Sequence, residues 1–76
     1  MEYDSRDFAE IIRTYGEISV YSERISRGIE PEENTQNCLI AIGNYRRFTP
    51  KLLIDEMGTN FRSLELRCKD ILKSAA

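Results

Sequence analysis

Apolar side chains recur at steps of three and four residues along most of this chain, and that period restricts the folds open to it more than any other property. From Ser5 to Arg27, the residues Phe8, Ile11, Ile12, Tyr15, Ile18 and Ile25, with Ser22 between, fall on one stripe. At about 100° per residue that stripe is roughly 140° wide, which predicts a long helix with one face in a core. Nothing reads as a strand. Ser5 offers a capping oxygen, and Asp7 and Glu10 place acids at the end where unpaired N–H groups and the helix dipole favour them. Gly28, following Arg24 and Arg27, is a stop signal, because glycine takes the left-handed conformation without a Cβ penalty. Gly16, inside the helix, costs about 1 kcal/mol relative to alanine and marks either simple tolerance or close approach of another helix.

A second helix is predicted from Pro31 to about Arg46. Proline suits the first helical position, and Glu32 and Glu33 suit the dipole. Cys38, Leu39, Ile40, Ala41, Ile42 and Tyr45 surround much of this helix, so it is expected at the centre of a bundle or between subunits.

Phe48-Thr49-Pro50 is a further start signal, with Thr49 as cap and Pro50 in the first turn. The segment Thr49–Arg67 resembles a helix-turn-helix over roughly a quarter of the chain, with Met57, Gly58 and Leu64 on the family's turn pattern. Ile54, Thr59 and Arg67 depart from it: the family prefers a small residue and two apolar ones there. The resemblance implies a DNA-binding regulator whose recognition helix starts near Asn60. Helical phase points elsewhere. Leu53, Ile54, Met57, Phe61, Leu64, Cys68, Ile71 and Leu72 share a sector about 100° wide if one straight helix runs through them. The preferred expectation is therefore one helix from about Pro50 to Ser74, with Gly58 tolerated inside it. The fold class predicted is an all-α antiparallel three-helix bundle, two helices long and one shorter, in a single domain.

At 76 residues the core is small. Chains below about 70–80 residues rarely draw more than about 3–5 kcal/mol from one core, so a stabilising device is expected. Two cysteines allow at most one disulfide, which points instead to well-packed helices or to a homo-oligomer. With no His in the chain, Ser-His-Asp and Cys-His relays are excluded and zinc is disfavoured. Cys38 and Cys68 read as buried small hydrophobes, since neither has an activating base. Asp55 and Glu56 diverge by about 100° around a helix and cannot easily flank one substrate. No phosphate loop, dinucleotide fingerprint or calcium loop occurs. The longest apolar run, Cys38 to Ile42, is far shorter than the ~20 residues of a membrane span. The acidic N-terminus does not read as a signal peptide. A cytoplasmic, non-enzymatic protein with reduced thiols and no cofactor is expected.

Charge is distributed unevenly: residues 1–38 hold nine acids and four bases, and residues 39–76 hold seven bases and four acids. Either an acidic first helix lies against a basic last one, or the bases meet phosphates. Tyr45, Arg46, Arg47, Lys51, Arg62 and Arg67 are the candidates for binding nucleic acid or a small phosphorylated ligand, by guanidinium forks and ring stacking. Val20, Tyr21 and Ile40, off the core stripes, are candidates for a partner-binding face. The function expected first is a small regulator, inhibitor or adaptor acting through protein–protein contacts, including contacts with itself. A DNA-binding regulator using Thr49–Arg67 is the alternative, and a nucleotide binder the next.

Overall fold

A computed structural model describes the backbone of residues 5–75 and the side chains of residues 6–74. Its regular structure is entirely helical: α1 (Ser5–Ser26), α2 (Pro31–Phe48), α3 (Lys51–Met57) and α4 (Arg62–Ala75). The cap expected from the Ser5 side chain lies outside the described residues.

On α1, Ile11, Thr14, Ile18 and Ile25 are buried, and they repeat at the three-and-four spacing of a helix-packing seam. Thr14 is polar yet fully buried at no loss of hydrogen bonding. Its hydroxyl donates to the carbonyl of Glu10 at 2.7 Å and approaches that of Ile11 at 3.1 Å. The helix stops as expected at Gly28, whose φ is +72°. Gly28 N–H bonds the Ile25 carbonyl and Ile29 N–H bonds that of Arg24, which satisfies the helix's last acceptors.

Pro31 opens α2 where the sequence predicts, and the helix continues two residues past Arg46, to Phe48. Its buried residues, Asn34, Thr35, Cys38, Ala41, Ile42 and Tyr45, cover two sides, because α2 packs on α1 along one and on α4 along the other. The middle helix is thus central to the fold. Asn34 closes its N-terminal end, donating from Nδ2 to the Ile29 carbonyl at 2.7 Å.

The expected third helix is in fact two, and the described residues form four helices rather than three. Gly58 adopts φ +67°, and the Thr59 N–H bonds back to the Ile54 carbonyl at 3.1 Å, closing α3 as Gly28 closes α1. The physical reason is local: glycine takes a left-handed φ without a Cβ penalty, so a stretch that is otherwise in helical phase can break at Gly58. The break lets α4 run along α2 while α3 lies beside the first half of α1 and buries Ile54. Thr49 is not the cap either. The residue preceding α3 is Pro50, without a side-chain cap, while Thr49 is buried and its hydroxyl finds no partner.

Candidate functional site

The apolar stripe of α1 is only half covered. Its inner edge, Ile11, Ile18 and Ile25, meets α2, but Phe8, Ile12 and Tyr15 remain 57%, 58% and 45% exposed. Together with Leu53 and the 57% exposed Met57 of α3, they form a groove of about 310 Å³, whose lining is completed by Ile11 and Tyr45. Among the described residues no charged side chain lines it.

The floor is held firmly. Tyr45 is 1% exposed, and its hydroxyl shares a 2.7 Å hydrogen bond with Thr59 Oγ1, just beyond the left-handed Gly58. Around it, the Tyr15 ring lies 6.0 Å from those of both Tyr45 and Phe61, and Phe61 meets Tyr45 edge-on at 5.2 Å. These distances and tilts are those at which aromatic quadrupoles attract. Phe61 holds its place at φ +54°, a left-handed conformation costly for a bulky residue. One aromatic cluster thereby locks α1, α2 and the α3–α4 turn together. The groove beside it can receive apolar side chains. It presents no group suited to general acid–base or nucleophilic chemistry.

The candidate anion-binding residues do not converge. Tyr45 is in the core and has no face to offer a base. Arg46 is already engaged, with Nη1 on Glu65 Oε2 at 2.8 Å and Nε on the Asn60 carbonyl at 3.2 Å. Those bonds from Arg46 hold the Glu65 carboxyl below the usual carboxylate range despite a smaller upward push from burial, and Lys69 and Arg62 add to the lowering. An acid therefore sits where the bases gather. The Arg47 guanidinium stands 5.8 Å from the Phe48 ring centroid, and Lys51 borders a separate shallow pocket. Arg62 and Arg67 are exposed on α4, where Arg62, Leu66, Lys69 and Lys73 form one outward line. Ion pairs run within α1 from Arg13 to Glu10 and Glu17, from Glu23 to Arg27 just past its end, and between α2 and α4.

Of the partner-face candidates, Val20 and Ile40 are exposed, on different helices, but Tyr21 packs against the core with Arg24 near its ring. The larger apolar surface lies at Phe8, Ile12, Tyr15 and Met57, which the sequence reading placed inside. No sequence signal marks it, because a stripe about 140° wide fits a fully covered face as well as a half-covered one.

Cys38 and Cys68, both free and fully buried, lie near each other between α2 and α4. Burial, with the neighbouring thiol, pushes Cys38 up to about 12, and burial raises Cys68 as well. Neither has thiolate character at neutral pH. Among the described residues no three His, Cys, Asp or Glu groups converge as metal ligands, and no helix is long and apolar enough to cross a membrane.

Comparison with protein-family models, with curated proteins and with solved structures gives no match.

Proposed function

We propose that this chain is a non-enzymatic interaction protein, a small regulator or adaptor that acts by seating apolar side chains of a polypeptide between α1 and α3. The observation that carries the reading is the groove itself: four large apolar residues, each about half exposed, line one uncharged depression with a rigid aromatic floor. A patch of this kind on so small a domain costs solubility unless it is covered in use. The absence of His and the inertness of both thiols favour binding over catalysis. A cytoplasmic location fits two thiols that remain free side by side. The test is a photo-crosslinking residue at position 12, with position 67 on α4 as control, in the native host. We expect position 12, and not 67, to join one discrete polypeptide identified by mass spectrometry. No adduct above the control would refute the reading.

A second reading has one observation in its favour. The left-handed break at Gly58 gives α3 and α4 the helix, turn, helix order of the DNA-binding alternative, with Arg62, Lys69 and Lys73 outward on the second helix. A mobility-shift assay at low salt, where phosphate contacts are strongest, decides it. Absence of a complex there removes it.

A further inference from the structure

We infer that the occupant of the groove is a second copy of this chain, docked with its α1 antiparallel to the first across a two-fold axis at Ile12. This rests on the interaction reading above and names its partner. In an antiparallel helix pair about a two-fold axis, positions that face each other have a constant sum of residue numbers. With Ile12 on the axis, Phe8 faces Gly16 of the second copy, Ala9 faces Tyr15, and Ile12 faces itself. Phe8 and Tyr15, the bulky side chains of this face off the axis, thus each meet a small one. The seat above Gly16 is open, since a Cβ built there would have no neighbour within 4 Å. Gly16, whose cost within α1 nothing inside the chain repays, becomes the residue that lets two helices approach closely.

Charge permits the same docking. The outward line Phe8, Ile12, Tyr15, Gly16 and Ser19 is uncharged, while Glu10, Arg13 and Glu17 pair with one another on the flank. Helix α3 borders the same face, with Met57 exposed in the groove that Ile12 lines. Area sets the strength. Phe8, Ile12, Tyr15 and Met57 are each about half exposed, and at about 200 Å² per large side chain they leave roughly 400 Å² of apolar surface per copy. Two copies give about 800 Å² before Ala9, Gly16 and Leu53 are counted, below the ~1,000 Å² of a stable specific interface and in the range of weak, concentration-dependent dimers.

Light scattering at about 100 μM should return twice the 8.9 kDa of one chain. Ile12→Glu sets two carboxylates against each other on the axis and should weaken the dimer by about 100-fold or more, with helicity unchanged because the site is exposed. Gly16→Leu, which fills the seat of Phe8, should give a monomer too, although leucine is the better helix former. Mixing Ile12→Glu with Ile12→Lys should restore a dimer of one copy of each, which only self-facing residues can do. A monomeric wild type, dimers that persist in Ile12→Glu and Gly16→Leu, or failure of the mixture to rescue would each overturn the inference. A monomeric wild type whose crosslinker at position 12 captures a different polypeptide overturns the self-docking alone. A monomer with no adduct overturns the interaction reading with it.

Discussion

Replacing Gly58 with alanine should destabilise the protein, and the same change at Gly43 should stabilise it. Gly58 has φ +67°, and an L-residue in that conformation costs about 1–2 kcal/mol. Alanine recovers about 0.4–1 kcal/mol by restricting the unfolded chain, so the net loss spans about 0–1.6 kcal/mol and centres near 0.8 kcal/mol. Gly43 lies inside α2, and its added Cβ would meet nothing within 4 Å. There the helix gains about 0.5–1 kcal/mol. For a domain of this size 1 kcal/mol moves Tm by about 4–8 °C, so the two variants should separate by several degrees on opposite sides of wild type. Thermal unfolding followed by helical circular dichroism reads this directly, at one fixed protein concentration because association would shift Tm. Gly58→Asn is the internal control, since asparagine tolerates the left-handed region and should fall between wild type and alanine. If Gly58→Ala stabilises as Gly43→Ala does, the residue is helical, α3 and α4 are one helix, and the groove as described does not exist.

Tyr45→Phe should cost about 1–3 kcal/mol, because it leaves the Thr59 hydroxyl buried without its partner, and denaturant unfolding should show it with the fold retained. Ellman's reagent at pH 8 should label neither thiol until denaturant is added, and rapid labelling of the native protein would contradict their burial. The raised Cys38 value also fixes a sign. Its contribution to stability is complete below the thiol's unfolded range near pH 8.5–9 and is lost as pH rises toward about 12, which unfolding midpoints from pH 8 to 10.5 should show. Glu65 acts in the opposite direction. Its lowered carboxyl contributes stability above the ordinary glutamate range, near pH 4.3, and loses it as pH falls through the depressed value, so Glu65→Gln should flatten the acid limb.

Most of the helical fold is legible in the sequence because period and punctuation agree. Pro31, Gly28 and the three-and-four spacing of α1 each express a local rule, and the structure follows them. The break at Gly58 is not legible from phase. Leu53 and Ile54 on one side and Leu64 and Cys68 on the other must face the same core whether the chain bends or not, so the pattern is the same in both cases. What decides it is the backbone at one residue, Gly58 in the left-handed region with the Thr59 N–H on the Ile54 carbonyl, which a pattern of side chains does not record. The groove was hidden for a related reason. The stripe Phe8 to Ile25 records how much of α1 is apolar, not how many neighbours the fold supplies to cover it. Charge misled in a third way: Arg46 looked available beside Tyr45 and Arg47, but Glu65, nineteen positions onward, takes it up.

The chain has no tryptophan, so its near-ultraviolet optical activity comes from tyrosine and phenylalanine alone. Three of those rings, Tyr15, Tyr45 and Phe61, are clustered within 6.0 Å of one another, close enough for their transitions to couple. Helicity measures whether the helices exist, whereas this coupled band measures whether α1, α2 and the Gly58 turn have come together. The molecule therefore carries its own label-free gauge of assembly, at the floor of the groove through which it would be read.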